Sequence, residues 1–208
     1  MRASGPVTVQ VMIDENGAVL SAHAVSGNPL LRDRSRELTL DELRAPETQQ
    51  LIDDLIDTMH AANGAGIAAP QIGELVRIAT IEVTHNPRYP YKPPIPLTIV
   101  VNPVITPLDD ELVEINEGCL SVPNMRGNVM RHVNIRVTYW DRDGNEHDEI
   151  KRGLTAGTFQ HELDHLDGVL FLDRVRDPRT FTTWEQFDRH HRAAFVERAE
   201  ALNERFGP

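Results

Sequence analysis

Sulfur is scarce in this sequence. A single cysteine, Cys119, stands among 208 residues, so no intrachain disulfide can form and a reducing compartment suits the chain. Long apolar runs are missing as well. No stretch approaches the ~20 residues that a membrane-spanning helix needs, so no membrane partner is expected. The first twenty residues have no basic start leading into a continuous apolar segment, and they carry Asp14 and Glu15. They fit neither a secretory nor a transit signal, and the cytoplasm is the expected location. Basic residues are in deficit, with 21 Lys and Arg against 32 Asp and Glu, a net charge of −11. Gripping nucleic acid takes clustered cations, so direct nucleic-acid binding is not expected.

What remains is an ordinary globular composition, 40% hydrophobic and 25% charged, long enough for one domain with a sizeable core. Val7 to Met12 and Ala18 to Val25 read as strands around Asp14-Glu15-Asn16-Gly17, a tight-turn signal. After Pro46, a residue suited to a first helical position, Leu51, Ile52, Leu55, Ile56 and Met59 recur on one helical face, which Asn63 and Gly64 end. Val76 to Val83, Leu97 to Ile105, Val133 to Trp140 and Glu146 to Ile150 read as further strands. Asn86 to Pro96, with five prolines, reads as an irregular loop. Helices are expected from Leu154 to Leu166, closed by Gly168, and from Thr182 to Arg205. In the terminal helix Trp184, Phe187, Ala194, Phe195 and Leu202 are the buried candidates. Strands and helices mix without regular alternation, so the fold class is α+β.

The stretch QHELDHLDG, residues 160 to 168, carries the chemistry. On a helix, residues four apart share a face, so His161 and His165 can offer two nitrogens to one cation. Glu162 between them can take a proton from water activated at that cation. A third ligand is needed. An extended HExxHxxGxxH motif is excluded, because its last position is Phe171. A glutamate from the terminal helix (Glu185, Glu197 or Glu200) would make a zinc endopeptidase and stays open. Cys119, in the stretch EGCLS, is the other source. A Cys-His-His set suits a borderline divalent ion and leaves a position for water.

Three stretches in order, GAGIAAPQ (64–71), EGCLS (117–121) and QHELDHLDG, resemble the motifs of peptide deformylases. The likeness runs from about Asn28, in NPLLR, to Val175, roughly 70% of the chain. The resemblance implies mainly antiparallel sheets packed around a central HExxH helix, with a C-terminal helix. It implies hydrolysis of the formyl group from N-terminal formyl-methionine of nascent chains. Fe²⁺ is the implied metal, with Ni²⁺, Co²⁺ or Zn²⁺ as substitutes. Cys119, His161 and His165 become the ligands and Glu162 the general acid and base. The Gln71 amide and the Leu120 N–H face the formyl oxygen. Gly66, Ile67, Arg126, Gly157 and Thr158 fall at the bound peptide. The chain then divides into an N-terminal extension with a β-hairpin (1–27), a catalytic domain (28–180) and the C-terminal helix (181–208). A catalytically silent, peptide-binding relative is the rival outside enzymes, and the intact Glu162 and Gln71 speak against it.

Two departures stand out. The family places a larger residue one turn before the first histidine; Gly157 here predicts a wider pocket for the first substrate side chain, with weaker preference for methionine. From Thr180 onward four arginines face five acids, which favours transient meetings with nascent chains at the ribosome over an electrostatic tether.

Overall fold

A computed structural model describes residues 9–13, 19–84 and 91–207, with 9–13 and 19–22 described by their main chain alone. Strands β1 (Val9–Ile13) and β2 (Val19–Ala24) pair antiparallel. The expected turn at Asp14–Gly17 lies outside the described residues. Helix α1 (Leu40–Arg44) opens with a reciprocal cap: Thr39 Oγ1 accepts from Glu42 N–H, and Glu42 accepts from Thr39 N–H. Helix α2 (Pro46–Ala61) starts on its proline and buries Ile52, Leu55 and Met59 completely. Asn63, left-handed at φ 50°, follows its end.

Five antiparallel strands form the main sheet, in the order β3-β4-β5-β8-β9. They are β3 (Gly66–Ala68), β4 (Ile78–Val83), β5 (Ile95–Pro107), β8 (Asn134–Trp140) and β9 (Glu146–Arg152). Between β5 and β8 the chain leaves the sheet as a separate hairpin, β6 (Leu112–Cys119) with β7 (Val122–His132). Alternate residues of the sheet serve two cores. Ala68, Ala79, Ile81, Val100, Ile135 and Val137 meet helix α3 (Gly153–Leu166) through Ala156, Phe159, Leu163 and Leu166. Ile67, Ile78 and Val101 point the other way, toward α2. Phe159 is wholly buried, which contributes about 1.5–3 kcal/mol. Thus β4 is covered on both faces, with Ile78 to Ile81 all inaccessible.

Past the short helix α4 (Phe171–Arg174), the chain bridges back onto β7 at Thr182, which exchanges two main-chain hydrogen bonds with Arg126, each 2.9 Å. The single terminal helix expected over 182–205 is instead two, α5 (Trp184–His190) and α6 (Arg192–Phe206), broken at His191. In a straight helix Phe187 and Phe195 would project about 80° apart. The break turns both inward, their rings 5.8 Å apart, beside Tyr91, Ile115 and Leu154. Ala194 consequently faces solvent and Ala199 is the buried alanine. Strand β5 begins at Ile95, two residues inside the expected proline-rich loop. No described helix is long and apolar enough to cross a membrane.

Candidate metal centre and its pocket

Helix α3 lays His161 and His165 side by side, ring centroids 5.3 Å apart and edge to face. Cys119 ends β6 opposite them, with Sγ 3.4 Å from His165 Nε2. One ligand atom from each of these residues lies within 4.8 Å of the others. Among the described residues no other group of this kind forms, and Glu185, Glu197 and Glu200 do not join it. Of the third-ligand candidates left by the sequence, Cys119 is the one brought beside the two histidines.

The surroundings fit a cation. Glu117, two residues before Cys119 on the same face of β6, accepts from His161 Nδ1 at 2.8 Å, which turns the other ring nitrogen inward. Arg131 of β7 grips both Glu117 oxygens, at 2.8 and 2.9 Å, and extends its third nitrogen to Asp164 at 2.6 Å. Burial alone would raise the Glu117 carboxyl, but the Arg131 guanidinium and His161 hold it well below the usual carboxylate range. Burial would lower His161, yet Glu117 and Cys119 raise it well above its ordinary value. His165, buried beside His161, is pushed well below its own. A sulfur and two nitrogens, with a carboxylate behind one imidazole, is a donor set for a borderline divalent ion.

Glu162 turns from α3 onto β3. A methyl at Gly66 would lie 2.6 Å from Glu162 Cγ, so glycine is required for the carboxylate to reach this place. Burial raises its carboxyl above the ordinary value. Gln71 is fixed at both ends. Its Oε1 accepts from Ala68 N–H at 2.8 Å, and its Nε2 donates to Ser121 Oγ at 3.0 Å, 4.0 Å from Cys119 Sγ. Leu120 and Ser121 form the turn between Cys119 and Val122.

Gln71, Glu117, Cys119, Leu120, His161 and Glu162 line one cavity of about 520 Å³, a size that holds a small ligand. The residues expected at a bound peptide are placed unequally. Gly66, Arg126, Gly157 and Thr158 line the cavity. Ile67 does not; its side chain lies in the α2 core, leaving only its main chain for a ligand. Arg126 is buried, bonded to Asn116 through Nε and Nη2 at 2.6 and 2.8 Å and stacked under Trp184 and Phe187. At Gly157 the widening expected from glycine is occupied: an added methyl would lie 2.5 Å from Ile115 Cδ1. Ile115 fills the slot, so glycine there accommodates β6.

Sequence reasoning missed part of the wall. Tyr91, Lys92, Trp184 and Phe195 line the cavity, and Lys92 Nζ donates to Thr158 Oγ1 at 3.1 Å. Burial lowers the Lys92 pKa. Its proline-rich surroundings carry no periodic signal, and only the tertiary fold brings them to α3.

A family model for polypeptide deformylase matches residues 23–181. Peptide deformylase 2 of Nostoc is 45% identical over 161 residues, 77% of this chain and 89% of that protein. Peptide deformylase 1 of Nitrosomonas europaea is 43% identical over 155 residues, 74% and 87% of the two. A crystal structure of class I type b peptide deformylase from Acinetobacter baumannii, bound to Met-Ala-Ser, superposes with a TM-score of 0.72 at 36% identity, covering 76% of this chain and 99% of that one. The centre, the order of its motifs and this likeness over three quarters of its length agree: the chain belongs to the polypeptide deformylase family.

Proposed function

We propose the following division of labour for removal of the formyl group from N-terminal formyl-methionine, the hydrolysis that membership of this family assigns to the chain. The observation that carries it is the convergence of Cys119, His161 and His165 beside a buried carboxylate. A divalent cation held by those three supplies Lewis acidity toward water and the formyl carbonyl. Fe²⁺ is the reading for the cell, with Ni²⁺, Co²⁺ or Zn²⁺ able to substitute.

Glu162 removes a proton from the attacking water and later delivers it to the leaving amine. Formate and a free N-terminus result, so one carboxylate serves both transfers. The Gln71 amide, aimed by its bond to Ala68, and the Leu120 N–H receive the charge that develops on the formyl oxygen. Donors of this type are typically worth about 10²–10³ in turnover. Strand β3 lies at the edge of the sheet and pairs with β4 alone. Its outer edge, at Gly66 and Ile67, can take the main chain of an extended substrate. The first side chain then enters the cavity beside Ile115, Leu154 and Thr158. In this reading the HExxH helix is the centre about which sheet and hairpin are organised.

Helices α5 and α6 bury Phe187 and Phe195 beside this pocket and carry little net charge. Encounters with nascent chains in the cytoplasm are therefore taken as transient. The direct test is formate release from formyl-Met-Ala-Ser by the metal-loaded chain. Release that stops with 1,10-phenanthroline and returns with added Fe²⁺ or Co²⁺ is expected. No release from the loaded chain would remove the reading.

A further inference from the structure

The turn that carries Leu120 lies beyond the regular ladder of its hairpin. Two residues, Leu120 and Ser121, connect β6 to β7. Two-residue hairpin loops normally use turns with positive φ, whose twist matches the strands. Neither Leu120 nor Ser121 has positive φ. The ladder responds with a register shift between Gly118 and Cys119. The turn receives support from outside its own hairpin.

That support comes from the N-terminal strand and the residues after it. His23, near the end of β2, is 2% exposed and lines the catalytic cavity. Its Nε2 lies 3.0 Å from the Leu120 carbonyl oxygen. A carbonyl only accepts, so Nε2 carries the proton. Ser26 N–H donates to the next carbonyl, Ser121 O, at 2.6 Å. Both carbonyls of the turn are thus held by one segment, while Gln71 holds the Ser121 hydroxyl. On the other side of the His23 ring, Nδ1 is buried with no partner among the described residues, so the ring is anchored through Nε2 alone.

We propose that His23 is a positioning residue for deformylation: its hydrogen bond to the Leu120 carbonyl fixes the turn whose N–H meets the developing oxyanion. The inference rests on the role given above to the Leu120 N–H. It gives the N-terminal strand a part in turnover without placing His23 among the metal-holding residues. A displacement of a reacting or stabilising group by about 1 Å can cost on the order of 100-fold in rate. Loss of one clamp, with Ser26 and Gln71 still in place, should cost less.

The test compares His23→Phe, which keeps the ring and loses the donor, with His23→Gln, which returns an N–H near the Nε2 position. Each is made in the full chain and loaded with Co²⁺. With formyl-Met-Ala-Ser, His23→Phe is expected to lower kcat about tenfold while KM stays within about twofold and bound metal stays at the parent level. His23→Gln should recover most of the loss. Should His23→Phe not fold, His23→Leu against His23→Gln carries the same contrast. Parent-level kcat in His23→Phe overturns the proposal. So does an equal loss of kcat in Phe and Gln variants, which would make the ring a packing element. A parent enzyme that releases no formate would instead bring down the deformylase reading itself, so the two failures are distinguishable.

Discussion

Glu162→Gln in the metal-loaded chain is expected to lower formate release by about 10²–10⁴-fold, with KM and bound metal near the parent values. The size follows from the lack of a substitute. Two other carboxylates stand near the centre, and both are engaged. Glu117 is shared between Arg131 and His161, and Asp164 between Arg131 and Arg174. Glu162 is 5% exposed, and its Oε2 has no hydrogen-bond partner among the described residues. Such an uncommitted acceptor can take a proton from water and give it back. Glutamine keeps the shape that fits against Gly66, so lost activity reports the proton and not a collapsed wall. Steady-state kinetics together with metal analysis check this; turnover within about tenfold of the parent would assign the proton transfers elsewhere.

The second large effect concerns stability. Arg131 is 3% exposed and donates to three carboxylate oxygens, two of Glu117 and one of Asp164. Replacing it with leucine leaves Glu117 charged, buried and supported by His161 alone. Breaking a buried pair from one side costs about 3–5 kcal/mol. In a chain of this size that lowers the melting temperature by roughly 10 °C. Metal affinity should fall by about 10–100-fold as well, because Glu117 is the carboxylate that orients His161. Thermal unfolding and a metal titration of Arg131→Leu measure the two together. A melting point within about 2 °C of the parent would show that Glu117 has other support.

Both expectations depend on contacts that the sequence reveals only in part. The HExxH spacing identified α3, because a helix has one fixed period and His161, Glu162 and His165 follow it. The third ligand was legible only as a choice between Cys119 and a later glutamate, since nothing in the residues tells where β6 ends relative to α3. The β6–β7 hairpin itself was not read as strands. Its buried residues include Asn116, Glu117, Arg126 and Arg131, whose burial is made good by hydrogen bonds across the hairpin, so hydrophobic alternation never appears. Helix α6 was misplaced in phase for a related reason: the break at His191 resets the period, moving burial from Ala194 to Ala199. Glycines are visible in the sequence but their partners are not. Gly66 accommodates Glu162 and Gly157 accommodates Ile115, contacts between residues 96 and 42 positions apart in the chain.

In the proposed centre, one thiolate and two imidazoles bind the same ion. This is tested most directly by the ultraviolet absorption of the Co²⁺-loaded chain beside Cys119→Ala. A single bound Co²⁺ with a strong sulfur-to-cobalt charge-transfer band is expected in the parent, and loss of that band in the variant. A parent that binds Co²⁺ without the band, or a variant that keeps it, would rule out Cys119 as a ligand.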